Sequence, residues 1–259
     1  MPIWDKNYIK KQWFFNKINT FLTSIIWTRD LHAHYRIWSL IYYAKRNLPR
    51  NEEIRILEVG CWTWINLVEI NKINNSIVAD WYDLDEEAIL LWRQILDRNS
   101  ISNINLHIED VTKLTLSENI KYDYILFMDI LEHIENDSAF LSSIQDFFTS
   151  ETEVIISVPT KKYKHIFWEK FHLDAWHVRD GYSHEEILGL FSPYWYKTHY
   201  IRYSAWLISQ IWLRLFYRTS IPNRHLNGIY KLILLFIFKH IDYLNSDKKS
   251  CSMFLVLKK

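Results

Sequence analysis

The stretch over residues 54–64, I-R-I-L-E-V-G-C-W-T-W, constrains the fold of this chain more than any other. Its first half is apolar and rich in β-branched residues, which predicts a buried strand. Gly60 then marks a tight turn, and the apolar spacing over residues 63–73 predicts a helix. A buried strand that runs through a tight turn into a helix is typical of an α/β sheet.

Glu58 and Gly60 resemble the first motif of the class I S-adenosylmethionine-dependent methyltransferases. That motif is an acidic residue, any residue, and then three glycines at alternate positions. Here Trp62 and Trp64 stand where the second and third glycines belong. The resemblance implies that Glu58, Gly60, Cys61, Trp62 and Trp64 line the site of the cofactor, S-adenosylmethionine.

A second acidic position follows at the end of the next apolar run, Ile77–Asp83. Asp83 lies 23 residues beyond Gly60, the interval at which the family has an acid after its second strand. A carboxylate there can accept hydrogen bonds from both ribose hydroxyls of a nucleoside, and Leu84 beside it is assigned to the same site. The family usually has glycine two places before this acid, where this chain has Trp81.

A third strand is expected over residues 104–108, and Asp110 and Val111 follow it. In the family an acid at this place binds the adenine amino group, and the next backbone amide meets a ring nitrogen. The resemblance therefore implies that Asp110 and Val111 hold the adenine. An Asp after a strand is also common as a helix cap.

A fourth strand is expected over residues 122–128, and D-I-L-E-H-I follows it. This stretch is similar to that of small-molecule methyltransferases, and it implies that Met128 and Asp129 border the methionine part of the cofactor. His133 would begin the next helix, near the methyl group, and could act as a general base, since an unperturbed pKa near 6.5 leaves an imidazole mostly neutral at pH 7. The alternative is that Glu132 and His133 only pack and orient the loop.

A fifth strand is expected over residues 154–158, and a segment rich in aromatic residues and histidine, 161–182, comes next. Ligands of open α/β sheets bind over the carboxyl ends of the strands, so this segment is expected to form the acceptor pocket. Related methyltransferases have an H-V-R-x-Y-S stretch, which residues 177–183 match with Gly181 as one extra residue. The acceptor-binding candidates are His172, Asp174, Arg179 and Tyr182, and His177 is a second candidate base.

Two alternatives apply to parts of this segment. Ser183, with Glu186 three residues later, is a capping box, so part of the pattern marks a helix start. His165, His172 and His177 are conceivable zinc ligands, but the segment has neither thiols nor tight spacing. No metal site is therefore predicted.

Together the elements predict an α/β fold: a Rossmann-like, seven-stranded mixed sheet of order 3-2-1-4-5-7-6 with an antiparallel seventh strand. The expected domains are an N-terminal helical cap over residues 1–50, a methyltransferase core over 51–204, a helical insertion over 205–250 and a final core strand over 251–259. Further helices are expected over 6–26, 29–47, 86–99 and 185–191, and the last two strands over 195–203 and 253–257. In related proteins such leading helices cover the substrate mouth; the alternative is packing on the sheet edge.

Two of these elements give detailed expectations. The helix over 86–99 is expected to turn Ile89, Leu90, Ile95 and Leu96 inward. The sixth strand begins with Trp195 at a turn position where the family usually has glycine.

The insertion over 205–250 offers two helices, 205–218 and 228–243, with apolar faces. These helices could lie on a membrane surface or hold a lipid-like acceptor; a dimer interface or a packed subdomain are the alternatives, and the oligomeric state stays open. The chain has 31 Lys and Arg residues against 30 Asp and Glu residues. A net charge of +1 creates no field that would attract nucleic acid, so no such partner is predicted.

The two cysteines, Cys61 and Cys251, form neither a disulfide framework nor a zinc pattern, and the first residues lack the pattern of a signal peptide. The apolar run 232–238 is far shorter than the roughly 20 residues of a membrane-spanning helix. The sequence therefore predicts a cytoplasmic protein, with contact to a membrane surface through residues 205–243 as one alternative.

The glycine and tryptophan counts are unusual. A glycine content of about 7% would give roughly 18 glycines in a chain this long, but there are 4 glycines and 13 tryptophans. We hypothesise that several tryptophans are glycines in the native protein, encoded by UGA codons, which some bacterial lineages translate as glycine. The alternative is a tryptophan-rich protein with a degenerate motif. The positions concerned are Trp62, Trp64, Trp81 and Trp195.

Three functions are compatible with these patterns. Methyl transfer from S-adenosylmethionine to a small-molecule or lipid/glycan-like acceptor, by direct displacement, is favoured. A non-catalytic binding protein is the second, because two indoles would fill the space where backbone must approach the cofactor. A nicotinamide oxidoreductase is the third; it shares the first strand and the acid after the second strand, but its fingerprint does not include the L-E-H-I stretch.

Overall fold

The computed structural model describes residues 31–61, 65–110, 120–161, 178–204 and 250–259. The predicted helices over 6–26, 205–218 and 228–243 lie outside these residues. The helices are α1 (Leu31–Asn47), α2 (Asn66–Asn71), α3 (Glu86–Arg98), α4 (Asp137–Ser143) and α5 (His184–Phe191). The strands are β1 (Ile54–Cys61), β2 (Ile77–Asp83), β3 (Ile104–Ile108), β4 (Tyr124–Met128), β5 (Glu153–Pro159), β6 (Lys197–Ser204) and β7 (Ser252–Lys258).

The seven strands form one sheet of order β3-β2-β1-β4-β5-β7-β6. The first five strands pair in parallel, and β7 is antiparallel to both β5 and β6. The predicted order and the antiparallel seventh strand are confirmed. Dinucleotide-binding doubly wound sheets have the order 3-2-1-4-5-6, so the inserted antiparallel strand argues against the nicotinamide oxidoreductase.

The central strands β4 and β5 are buried on both faces, as their unbroken apolar sequence predicts. Phe127 of β4 packs on the face that α4 and α5 cover, and Leu126 on the opposite face with α1, α2 and α3. On that second face, Tyr43 of α1 packs against Tyr200 and Phe254. The described part of the N-terminal cap thus packs on the sheet, beside β6 and β7.

The inward face of α3 differs from the expectation at one residue. Ala88, Ile89 and Leu96 are buried, but Leu90 is 44% exposed. Because successive helical residues are rotated by about 100°, the stripe through Ile89 and Leu96 turns Leu90 toward solvent. The prediction for Leu90 is therefore wrong, and Ile95 lies half-buried at the edge of the stripe.

Some boundaries also differ. The helix predicted over 63–73 is the shorter α2, because the amides of Ile73 and Asn74 both bond to the carbonyl of Ile70 and close the helix. The strand predicted from residue 122 begins at Tyr124. The strand expected from Trp195 begins at Lys197, after a 3₁₀ turn over Ser192–Tyr194.

Candidate active site

The carboxyl ends of β1, β2, β3 and β4 meet at one edge of the sheet, because the four strands are parallel neighbours. Val59 pairs with Tyr82, which brings the next residues, Gly60 and Asp83, to the same level. Cys61 pairs with Met128 across a register shift. The predicted cofactor residues on three strands are thus brought together in the order that the sequence implied.

Gly60 adopts a left-handed backbone conformation with a φ of +55°. A Cβ atom at this position would lie 2.6 Å from Cδ1 of Ile130, the second residue after β4. The left-handed φ favours glycine here, and a Cβ atom would also require the Ile130 side chain to shift. The sequence prediction of a tight turn at Gly60 agrees with this geometry.

Glu58 is 2% exposed, and its Oε1 accepts a hydrogen bond of 2.7 Å from Nδ2 of Asn66. The bond joins the end of β1 to the start of α2, so it connects the two ends of the loop that carries residues 62–64. Sequence reasoning missed Asn66. The sequence feature that could have identified Asn66 is a polar residue between two apolar ones, at the first position of a helix.

The end of β2 is shaped by two aspartates, Asp83 and Asp85, which lie two residues apart. Oδ1 of Asp83 accepts a 2.9 Å hydrogen bond from the amide of Asp85, and Oδ1 of Asp85 accepts one of 3.1 Å from the amide of Ala88, capping α3. Leu84 between them is 72% exposed. A fixed carboxylate thus lies beside an exposed apolar side chain, which suits a nucleoside with a polar sugar and a flat base.

Asp129 makes a sharp turn directly after β4. Its φ is +53°, a conformation that Asp tolerates better than most residues, and it is 5% exposed. Its amide donates to the carbonyl of Ser157 at 2.8 Å, and its Oδ1 accepts from the Ser157 hydroxyl at 3.0 Å. Ser157, which sequence reasoning also missed, therefore holds this carboxylate against β5.

The chain from Asp129 to residue 135, the post-β4 turn, contains a 3₁₀ helix over Leu131–His133. Glu132 is 1% exposed and His133 is half-buried. The helix expected to begin at His133 starts at Asp137 instead. One reason is that the Asn136 side chain accepts from the amide of Ala139 at 3.0 Å and caps α4 there.

Two acceptor-binding candidates lie against this turn. Arg179 donates to a carboxylate oxygen of Asp137 at 2.5 Å and to the carbonyl of Ile134 at 2.5 Å. The single hydroxyl hydrogen of Tyr182 is shared between the same Asp137 oxygen, at 2.9 Å, and the carbonyl of Leu131, at 3.0 Å. Burial and then the bond to Asp137 raise the pKa of Tyr182, so its hydroxyl remains a donor at neutral pH.

The remaining predicted residues lie at or beyond the limits of the described segments. Asp110 lies half-buried at the end of one such segment, but its partner Val111 lies outside. Six further predicted residues also lie outside the described segments. They are two tryptophans, the second candidate base, two acceptor candidates and a conceivable zinc ligand: Trp62, Trp64, His177, His172, Asp174 and His165. Their roles stay predictions.

Two findings on the described segments concern metal ions and membrane-spanning helices. Among those residues, no cluster of three or more His, Cys, Asp or Glu side chains has a geometry that would hold a metal ion. None of the helices described is long and apolar enough to cross a membrane.

Comparison with known proteins identifies the family of this chain. A sequence model of the family described as "Methyltransferase domain" matches residues 32–214, well over half of the chain. N-methyltransferase 4 of Papaver somniferum is 28% identical over 131 residues, which cover 49% of this chain and 35% of that protein. The match thus spans about a third of the length of that curated relative.

Solved structures agree in fold. MccD superposes with a TM-score of 0.57 at 13% identity and covers 86% of this chain and 96% of its own. Coclaurine N-methyltransferase, bound to N-methylheliamine and SAH, also gives a TM-score of 0.57 at 13% identity, with coverage of 86% and 72%. From the family match, the strand order and the acidic residues at the strand ends, we conclude that the chain belongs to the class I S-adenosylmethionine-dependent methyltransferases.

Proposed function

We propose that this chain transfers a methyl group from S-adenosylmethionine to a small-molecule acceptor by direct displacement. The observation that carries the proposal is the placement of three acidic residues on neighbouring parallel strands beside the left-handed Gly60: Glu58 lies in the second half of β1, Asp83 ends β2 and Asp129 follows β4. When bound, S-adenosylmethionine supplies an electrophilic methyl group on a sulfonium.

Each strand end has a proposed role in holding the cofactor. Asp83 accepts hydrogen bonds from the ribose hydroxyls, with Leu84 as an apolar surface for the base. Asp110 and Val111 bind the adenine. Met128 and Asp129 border the methionine part, because Met128 ends β4 and pairs with Cys61 at the end of β1.

The proposed role of Glu58 is to fix the cofactor loop. Its buried bond to Asn66 restrains the residues on both sides of positions 62–64. Cys61, at the end of β1, begins that loop. A backbone held in this way can approach the cofactor without reorganising when it binds.

His133 is the proposed general base. It lies in the post-β4 turn, half-buried, beside the buried Glu132. A neutral imidazole there would accept the proton that an amine or hydroxyl acceptor loses as its bond to the methyl group forms. His177 is the second candidate for this role.

For the acceptor atom we propose nitrogen. The curated relative and one of the solved structures are both described as N-methyltransferases. A lipid-like or glycan-like acceptor with a hydroxyl group is the alternative from the sequence, together with contact of residues 205–243 with a membrane surface. His172 and Asp174 remain proposed acceptor-binding residues.

The test is transfer of a labelled methyl group to a panel of primary, secondary and aromatic amines, phenols, sugars and lipid vesicles. It is run on the chain as written and on a Trp62→Gly/Trp64→Gly variant. We expect transfer to an amine by the variant, and at least a tenfold lower rate after His133→Gln, since general bases contribute about 10²–10⁴-fold. Transfer only to phenols, sugars or lipids would overturn the nitrogen assignment.

A non-catalytic binding protein is the second candidate, and the tryptophans at positions 62 and 64 favour it. It predicts that S-adenosylhomocysteine binds neither protein, or that the variant binds it but transfers no methyl group to any acceptor. Calorimetry on both proteins, alongside the transfer assay, separates the two functions.

A further inference from the structure

Residues 178–182, here called the anchor segment, hold the post-β4 turn from one side. The amide of Val178 donates to the carbonyl of Glu132 at 3.0 Å. Arg179 donates to the carbonyls of Ile134, at 2.5 Å, and Glu135, at 3.0 Å. Together with the bond from Tyr182 to Leu131, these donors bond to four of the five carbonyls from residue 131 to residue 135.

The four carbonyls surround His133 in the sequence. Glu132 and Ile134, the residues on either side of it, are both bonded to the anchor segment. The backbone on both sides of His133 is therefore held by donors that lie more than 40 residues further along the chain. In the same way, Asp129 is held from the other side by Ser157.

The anchor segment is itself fixed to the sheet. The amide of Tyr182 donates to the carbonyl of Pro159, the last residue of β5, at 2.9 Å. Gly181 has a φ of +105°, and a Cβ atom there would lie 2.5 Å from the same carbonyl oxygen. Only glycine allows this approach, so the extra residue in the H-V-R-x-Y-S pattern has a structural reason.

Asp137 supplies a negative charge to the contact between the anchor segment and the post-β4 turn. One of its oxygens accepts from both Arg179, at 2.5 Å, and Tyr182, at 2.9 Å. The Arg179 guanidinium also lies 5.1 Å from the centre of the Tyr182 ring. Tyr182 is 3% exposed, so its hydroxyl is turned into the protein rather than toward an acceptor.

We propose that Arg179 and Tyr182 are positioning residues: through Asp137 and the turn carbonyls, they hold His133 and Asp129 in the geometry that the cofactor and the acceptor require. The role given to the turn in binding and catalysis rests on the proposed function. The contact between the anchor segment and the turn does not depend on it. It replaces the prediction that Arg179 and Tyr182 bind the acceptor directly.

The test uses Arg179→Ala, Arg179→Lys and Tyr182→Phe in the 259-residue Trp62→Gly/Trp64→Gly chain. Arg98→Ala is the control, because Arg98 is exposed at the end of α3. Hydrogen exchange of residues 129–135 reports on the turn, and calorimetry with S-adenosylhomocysteine reports on the cofactor site. A turn that is correctly placed a tenth of the time would weaken binding roughly tenfold.

We expect Arg179→Ala to weaken S-adenosylhomocysteine binding about tenfold and to speed exchange in residues 129–135. Arg179→Lys should recover only part of the loss, because an ammonium keeps the charge but not the planar donor fork that bonds Asp137, Ile134 and Glu135. Tyr182→Phe should have a smaller effect in the same direction, and Arg98→Ala none.

Unchanged exchange in residues 129–135 after Arg179→Ala would overturn the proposal, as would faster exchange with unchanged binding and no recovery by lysine, which would mark a merely structural contact. If the parent chain binds no S-adenosylhomocysteine, the proposed function fails, and the exchange experiment still decides whether the anchor segment holds the turn.

Discussion

Trp195 adopts a backbone conformation that favours glycine. Its φ is +68° and its ψ is +18°, and the left-handed region costs an L-residue roughly 1–2 kcal/mol. The side chain is 80% exposed, so packing offsets little of this cost. By contrast, Trp81 is 3% exposed and packs edge-on against Trp92. The structure therefore supports the hypothesis that a glycine stands in the native protein at position 195, but not at position 81.

Replacement of Trp195 by glycine should stabilise the protein relative to replacement by alanine. Both changes remove the exposed indole, but only glycine relieves the left-handed strain, so Trp195→Gly should be more stable than Trp195→Ala by about 1 kcal/mol. Urea unfolding of the two variants measures the difference. Equal stabilities would show that the turn carries no such strain.

Gly181 and Gly189 should respond in opposite ways to alanine. Gly181→Ala places a Cβ against backbone at a φ of +105° and should destabilise the protein by about 1–3 kcal/mol. Gly189 lies in α5, where a Cβ would meet nothing within 4 Å. Gly189→Ala should therefore stabilise by about 0.5–1 kcal/mol. Changes of the same sign in chemical denaturation would contradict this account.

At the residue scale, sequence could indicate the ends of strands but not their partners. Glu58, Asp83 and Asp129 were predictable because each follows an apolar run at a family interval. Asn66, Ser157 and Asp137 were not, because their importance comes from contacts with residues that are distant in sequence or separated by a loop. A hydrogen bond across such a separation leaves no periodic pattern.

At the element scale, α5 shows the strongest local signal. The Ser183 side chain accepts from the amide of Glu186, and the Glu186 side chain accepts from the amide of Ser183, as the predicted capping box requires. The carboxylate also bonds to Lys161. Although burial acts to raise the pKa of Glu186, the bonds from Lys161 and from the Ser183 amide lower it below its usual range.

Loss of the cap should cost stability. Ser183→Ala removes the acceptor for the Glu186 amide and should destabilise the protein by about 1 kcal/mol. Ser183→Thr keeps the hydroxyl and is the matched control. Thermal unfolding of both variants at pH 7 measures the difference; a similar loss in the threonine variant would point to packing instead of capping.

Glu186 should make the stability of this helix pH-dependent. A carboxyl whose pKa is lowered on folding stabilises above its unfolded pKa, near 4.3, and the contribution is lost as the pH falls through the folded value. The difference in Tm between the parent chain and Glu186→Gln should therefore shrink between pH 6 and pH 3. A difference that stays constant over this range would argue against the ionised capping interaction.

Element types were predictable where the apolar period was strong, and boundaries were set by capping contacts that the period does not contain. The strands over Ile77–Asp83 and Ile104–Ile108 have the predicted limits. The helix after β4 begins later than expected, since Asn136 caps it and Arg179 takes carbonyls that precede it. Local sequence patterns cannot predict that a distant arginine will bond the carbonyls before a helix.

At the scale of the whole molecule, the sheet order followed from the family resemblance rather than from the strands themselves. Apolar runs predict strands, but they do not tell which strands are neighbours. The antiparallel β7 between β5 and β6 depends on pairing between segments that are about 50 to 100 residues apart in the chain. The N-terminal cap shows the same limit, since only the structure shows α1 packed on the sheet.

The central claim is that the four-strand edge binds S-adenosylmethionine once glycine stands at positions 62 and 64. Calorimetric titration of the Trp62→Gly/Trp64→Gly chain with S-adenosylhomocysteine tests it directly, with Asp83→Asn in the same background and the exposed Asp97→Asn as the matched control. The account predicts that the variant binds S-adenosylhomocysteine and that the chain with tryptophan at both positions binds it only weakly. Asp83→Asn should weaken binding by the variant roughly tenfold or more, because charge-assisted hydrogen bonds contribute about 1.5–3 kcal/mol. Asp97→Asn should leave binding unchanged. No binding by the variant, or binding that Asp83→Asn leaves unchanged, would contradict it.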